Sequence, residues 1–211
     1  MIFRINKLLY FSLIIVTSIA KAQPYYFRHY QVENGLSNNT VYCSVQDNKG
    51  FLWFGTKDGI NRFDGINFKI FHIHNDNAEK LIGANYINCL FNDKQGGLWV
   101  GSKRGLYKYN EDKERFEPII DSLRDIYEIQ MDKIGQIWFL SGNTVCRYNF
   151  KNKILKQFSP AEYFYGTSIC ILKDGNIWAS TMQGFLEKFN DATGKFTAVD
   201  VFSHSIAPTS R

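Results

Sequence analysis

Asp47-Asn48-Lys49-Gly50-Phe51-Leu52-Trp53-Phe54-Gly55-Thr56-Lys57-Asp58-Gly59-Ile60-Asn61-Arg62-Phe63-Asp64-Gly65 reads as turn, strand, turn, strand, turn. Asp47 offers a local side-chain hydrogen bond and Gly50 a positive φ, the usual chemistry of a tight turn. Asp64-Gly65 is a hairpin signal. The unit then returns three times. All four tryptophans, Trp53, Trp99, Trp138 and Trp178, hold one place in it. Each follows a glycine by three residues (Gly50, Gly96, Gly135, Gly175) and has Leu or Ile immediately before it. A repeat of about 40 to 46 residues is the mark of a solenoid, propeller or array.

Outward from the first unit, Val41–Gln46 is its first strand, Phe51–Thr56 its second, Ile60–Phe63 its third and Asn67–His72 its fourth. Four short strands joined by tight turns, with a longer connection to the next unit, is the plan of a β-propeller blade. Helical periodicity is absent. The fold class expected is all-β, a propeller with about four four-stranded blades: blade 1 at 38–84, blade 2 at 85–123, blade 3 at 124–166 and blade 4 at 167–199. Residues 23–37 form a lead-in whose aromatics, Tyr25 to Tyr30, suit a strand. Residues 200–211 are a tail or the start of a further blade. A blade cannot bury both faces alone, so the repeated tryptophans are expected between stacked blades rather than as a platform for sugar.

The 211 residues are 16% aromatic, with only four prolines, enough for a sizeable core in one domain. Residues 1–22 carry Arg4 and Lys7, an apolar run of 12 residues from Leu8 to Ile19, and Ala20-Lys21-Ala22. That pattern is an export signal cut before Gln23, the run being too short to span a bilayer. The alternative is an uncleaved anchor. A periplasmic chain is expected. Beyond residue 22 there are 22 basic and 20 acidic side chains, and no basic patch to hold nucleic acid.

Cys43 and Cys89 lie ten residues before their tryptophans and Cys170 eight before, but its turn, Lys173-Asp174-Gly175, reads as two residues shorter, so Cys170 is expected in the same place. Cys146 stands apart. Equivalent positions in successive blades face alike, so small buried free thiols are expected over a single bridge, although an exported chain permits one. No cysteine–histidine spacing fits zinc, and His72-Ile73-His74 reads as a strand end, not a metal site. No cofactor is expected.

In a four-stranded blade the turns after strands two and four share one face. The longer connections, Ile73–Asn85, Pro118–Arg124 and Ser159–Thr167, therefore form one rim with Lys57-Asp58, Lys103-Arg104, Asn143 and Met182-Gln183. Loops on a rigid scaffold are where binding residues gather. The candidate ligand-binding residues are Asn38, Asn39, Lys57, Asp58, Asn85, Tyr86, Lys103 and Arg104, a mixture suited to sugar hydroxyls and carboxylates; a plain solvated loop edge is the alternative.

Tyr30-Gln31-Val32-Glu33-Asn34-Gly35-Leu36-Ser37-Asn38-Asn39-Thr40-Val41, followed by the stretch quoted first, resembles the opening of the periplasmic sensor of bacterial hybrid two-component systems, the two-component regulator propeller repeats. The resemblance runs from Phe27 to Val199. It weakens in the third unit, where Leu140-Ser141-Gly142 replaces Gly-Thr, and in the fourth, which lacks the Asp six residues before Trp. It implies that these blades are part of a larger, seven-bladed ring and a fragment or truncated product of a longer chain. It implies as partners the remaining sensor domains of that chain, including a histidine kinase, and an oligosaccharide ligand; a homodimer is compatible with it. No histidine here sits in a phosphoacceptor motif, so kinase activity belongs only to such a parent.

Two other functions compete. A propeller glycosidase or lyase needs paired carboxylates, and none stands out. The sialidase Asp-box, S-x-D-x-G-x-T-W, sets Asp five before Trp. Here Asp47, Asp93 and Asp132 lie six before and Asp174 four, which argues for structural turns. A protein-interaction propeller is the third reading, although the WD dipeptide is absent.

Overall fold

The computed structural model describes residues 26–73, 85–93, 95–159 and 164–199. The export signal, His74 and the tail from 200 onward lie outside the described residues.

Among the described residues sixteen strands form four antiparallel four-stranded sheets, each a simple meander in chain order. Blade 1 holds β1 (Val41–Gln46), β2 (Leu52–Thr56), β3 (Gly59–Phe63) and β4 (Phe68–Phe71). Blade 2 holds β5 (Ile87–Asn92), β6 (Leu98–Ser102), β7 (Gly105–Asn110) and β8 (Arg115–Ile120). Blade 3 holds β9 (Ile126–Met131), β10 (Ile137–Ser141), β11 (Thr144–Asn149) and β12 (Ile154–Phe158). Blade 4 holds β13 (Gly166–Ile171), β14 (Ile177–Thr181), β15 (Leu186–Asn190) and β16 (Lys195–Val199). The chain is an all-β propeller segment. Two local expectations change. Pro118 to Ile120, read as loop, continues strand β8. The described lead-in forms no strand: Val32–Asn34 is a 3-10 turn closed by Gly35 at φ 102°, and Tyr30 packs edge-on against Phe63 and Phe68. Its aromatics serve packing, not a ladder.

First strands pack in series, β1 on β5, β5 on β9 and β9 on β13. Among the described residues the apolar core divides into three clusters, one for each successive pair of blades. Trp53, Trp99 and Trp138 are almost fully buried in them. Each Nε1–H donates to the carboxylate six residues earlier: Trp53 to Asp47 at 2.7 Å, Trp99 to Asp93 at 2.8 Å, Trp138 to Asp132 at 3.0 Å. The other oxygen of each carboxylate accepts two backbone N–H groups of the turn, from Lys49 and Phe51, Gln95 and Gly97, and Ile134 and Gln136. One side chain thus closes the turn and ties it to the tryptophan on the next strand.

Trp178 departs from this. It is half-buried, and its Nε1 is enclosed without a hydrogen-bond partner. The cause lies in its turn. Leu172 N–H donates to Asn176 O at 2.9 Å, just as Asp93 N–H donates to Gly97 O at 2.9 Å, so the turn has the same length as the others. Leu172 therefore stands where Asp would. The shorter turn expected there does not exist, and Cys170 does not share the place of Cys43 and Cys89. Cys170 faces Trp178 in register, as Val45 faces Trp53, while Ser168 takes the cysteine position. All four cysteines are free thiols, but not all are buried: Cys146 is, Cys43 and Cys89 are partly so, and Cys170, displaced from their place, is exposed; burial pushes the thiols of Cys43 and Cys146 up to about 12 and that of Cys89 well above its ordinary value.

Two further regularities hold the blades together. The cross-strand neighbour of every tryptophan is a cation: Arg62, Lys108, Arg147 and Lys188. Each lies within cation–π range of its ring, at 5.7, 4.8, 5.1 and 5.6 Å. The second is a small-for-large exchange at the inner ring. A methyl group on Gly55 would stand 2.6 Å from Ile87, and one on Gly101 2.8 Å from Ile126. The third unit carries Leu140 in place of that glycine, and here the following blade supplies Gly166 where the others have Ile. A methyl on Gly166 would meet Leu140 at 3.1 Å and Phe164 at 2.8 Å. Blade-to-blade spacing is kept by exchanging partners across the seam.

Candidate functional site

Lys57 and Asp58 are presented by the turn between β2 and β3. Thr56, buried, staples that turn: its Oγ1 donates to Gly59 O at 3.0 Å and accepts Asp58 N–H at 3.1 Å. Ser102 Oγ repeats the pattern under Lys103 and Arg104, with Gly105 O at 3.3 Å and Arg104 N–H at 3.0 Å. The connection entering blade 2 closes on both turns. Asn85 O accepts Gly59 N–H at 2.8 Å, and Tyr86 O accepts Lys103 N–H at 3.1 Å. Asn85 Oδ1 accepts Ile73 N–H at 3.0 Å. Lys57, Asp58, Asn85, Tyr86, Lys103 and Arg104 therefore gather at the seam between blades 1 and 2.

Tyr42 joins them. Its ring stacks on Tyr86 with centroids 4.8 Å apart and planes 26° from parallel, and a hydrogen bond joins the two hydroxyls. Lys103 Nζ lies 4.0 Å from the Tyr86 ring centroid. The bond to Tyr86 holds the Tyr42 phenol above its ordinary range, and Lys57 and Lys103 pull it back. The result is a stacked aromatic pair, Tyr42 exposed and Tyr86 half-buried, flanked by two ammonium groups on stapled turns. Such a set can stack a sugar ring and attract a carboxylate.

Asn38 and Asn39 contribute differently. Asn38 Oδ1 accepts Thr40 N–H at 2.8 Å and Asn39 Oδ1 accepts Val32 N–H at 2.9 Å, so both acceptors tie down the lead-in. Asn143 and the exposed Met182 and Gln183 lie on the corresponding turns of blades 3 and 4, further round the rim. Among the described residues no group of three or more His, Cys, Asp or Glu is placed to hold a metal ion.

Sequence reasoning missed Tyr42. Plain alternation treats β1 as uniform, but a bulge between Val41 and Cys43 lets two residues oppose one and re-aims Tyr42 outward. The recurrence of that irregularity in β5, β9 and β13 is visible only in the pairing.

The profile of the two component regulator propeller family matches residues 35–58 and 82–104. Over 71 residues, 34% of this chain, it is 34% identical to histidine kinase P4 of Formosa agariphila, of which those residues make up 5%. The extracellular domain of a hybrid two-component system from B. thetaiotaomicron superposes with TM-score 0.66 at 24% identity over 81% of this chain and 23% of that one. Virginiamycin B lyase of Staphylococcus aureus superposes with TM-score 0.62 at 15% identity over 78% of this chain and 57% of the lyase. The chain thus spans a small part of the relatives that share its repeats; the two superpositions establish the propeller fold.

Proposed function

We propose that this chain is the ligand-sensing propeller segment of an exported two-component receptor, and that it binds oligosaccharides at the rim between blades 1 and 2 without turning them over. The observation that carries the reading is the stacked Tyr42–Tyr86 pair beside Lys103, built on a segment whose two flanking units both match the regulator-propeller family. Rings offer a stacking face and the ammonium groups of Lys57 and Lys103 meet hydroxyls or carboxylates, while the stapled turns hold the geometry in advance of binding. Asp58 and Asn85 position that edge. In the complete receptor, occupancy would be read by domains elsewhere in a longer parent chain, whose kinase would act on gene expression.

Titration calorimetry against an oligosaccharide panel tests this. Saturable binding is expected, with Tyr42→Ala, or Lys103→Ala combined with Arg104→Ala, weakening it about tenfold or more. Unchanged isotherms in both variants would remove this rim. Turnover of chromogenic glycosides by the wild-type chain would replace the sensor reading with a glycosidase.

A further inference from the structure

At the three described seams the cation that faces the tryptophan has a second neighbour on the following blade. Three residues beyond it the successive units carry Gly65, Glu111, Phe150 and Asp191. Where that residue is acidic it binds a cation of the preceding blade: Glu111 pairs with Lys49, and Asp191 with Arg147 at 3.2 Å. Arg62 at the first seam also has Glu114, at 3.7 Å. At the middle seam the place is taken by Phe150. Lys108 consequently lies between two rings, 4.8 Å from Trp99 and 4.8 Å from Phe150, with no carboxylate partner among the described residues.

A cleft of about 710 Å³ opens at this place. It lies among the turns that follow first and third strands, at the end of the blades away from the tyrosine rim. Four lysines line it, Lys108, Lys133, Lys151 and Lys173, against two carboxylates, Asp93 and Asp132. Both carboxylates are occupied by their tryptophans and turn amides. None of the four lysines forms an ion pair among the described residues. The walls between them are unusually apolar for an open surface: Ile134 is 74%, Phe150 44% and Leu172 43% exposed. Four lysines without ion pairs among the described residues, set beside exposed apolar side chains, favour the entry of a negative group that has an apolar face of its own.

We infer that the cleft between blades 2 and 3 is a second binding site, for an acidic saccharide whose carboxylate meets Lys108 and whose ring lies against Phe150. The site is separate from the tyrosine rim and does not depend on it. Lys108 is held by its two rings in a fixed position, so the carboxylate finds a donor already oriented. Phe150 is the selective element: it stands where Asp191 pairs with Arg147 at the following seam, so Lys108 has no such carboxylate, and it supplies the stacking face.

Titration calorimetry of the 211-residue chain with trigalacturonate, its neutral methyl ester and inorganic sulfate tests this. Saturable binding of trigalacturonate is expected, weakening as salt is raised. The ester and sulfate should each bind about tenfold more weakly or worse, one lacking charge and the other lacking the ring. Lys108→Gln should lower trigalacturonate affinity about tenfold. Phe150→Glu should abolish binding by giving Lys108 its missing carboxylate, without lowering the melting temperature. Lack of trigalacturonate binding overturns the proposal, as does equal binding of the ester. Equal binding of sulfate reduces the cleft to an adventitious anion site and also overturns it. Full affinity in folded Phe150→Glu would place the ligand elsewhere. Tyr42→Ala should leave the cleft's affinity intact, so failure of one site is distinguishable from failure of the other.

Discussion

Blades 2 and 4 are built on the same unit, and they differ at two positions with opposite consequences. In blade 2, Ile87 opens the first strand and packs against Gly55; in blade 4, Gly166 opens it and makes room for Leu140. That departure is answered across the seam. In blade 2, Asp93 closes the turn and accepts from Trp99; in blade 4, Leu172 holds that place and leaves Trp178 Nε1 enclosed and unpartnered. That departure is not answered. A repeat protein tolerates a local change when the adjoining repeat adjusts to it. Leu172 has only its own blade to turn to, because the Asp–Trp tie lies within one unit.

The largest effect expected from this difference concerns the tryptophans. Trp99 is 1% exposed, with blade 3 packed over it; Trp178 is half-buried with Lys188 near its ring. Trp99→Ala should cost about 3–5 kcal/mol, as removal of a large buried aromatic does. Trp178→Ala should cost less than half as much. Thermal unfolding of the two variants measures this, and equal losses would mean that the tryptophan owes nothing to the blade covering it.

Next in size is the exchange at the inner ring. Gly166→Ala puts a methyl 2.8 Å from Phe164 and 3.1 Å from Leu140, and should cost about 1–3 kcal/mol by overpacking. Leu140→Ala alone should cost about 2–5 kcal/mol through the cavity it leaves. Combined, the new methyl occupies part of that cavity, and the loss should fall short of the sum by about 0.5 kcal/mol or more. Additive losses would show that Leu140 and Gly166 are not partners.

The repeat grid, the strand order within a blade and the resemblance to regulator propellers were legible because they rest on turn residues and a tryptophan at fixed spacing. Asp47, Asp93 and Asp132 were legible as turn residues but not as partners of the indole, since that tie appears only once the hairpin is closed. The cation nine residues after Trp53, Trp99 and Trp138, and ten after Trp178, was present in the sequence as Arg62, Lys108, Arg147 and Lys188. A tenth spacing caused by one longer turn hides it from a fixed-period reading. Of the rim, the turn residues Lys57, Asp58, Lys103 and Arg104 follow from blade topology alone. Tyr42 does not, because a bulge reverses the direction that alternation assigns. Cys170 fails for a related reason: Leu172 in the Asp place disguised a turn of ordinary length as a short one.

The smallest effect is the most direct test of why the two blades differ. Leu172→Asp restores to blade 4 the residue that blades 1–3 carry. The backbone is already correct, since Leu172 N–H reaches Asn176 O at the same 2.9 Å as Asp93 N–H reaches Gly97 O. Leu172 is 43% exposed, so little buried apolar surface is lost and the new carboxylate is not stranded. Its oxygen should accept from Trp178 Nε1, satisfying an enclosed donor, for a gain of about 0.5–1.5 kcal/mol and a rise in melting temperature of about 1–6 °C. Asp93→Leu, the reverse change, should cost about 1–3 kcal/mol by leaving Trp99 Nε1 and two turn amides without their acceptor. If Leu172→Asp lowers the melting temperature instead, the Asp174–Asn176 hydrogen bonds that now organise the turn compete with the new carboxylate, and blade 4 is a different solution to the same turn rather than a defective copy. Leu172 also forms the blade 4 wall of the basic cleft. The same substitution should therefore weaken trigalacturonate binding while it stabilises the fold, two opposite signs that a general destabilisation could not produce.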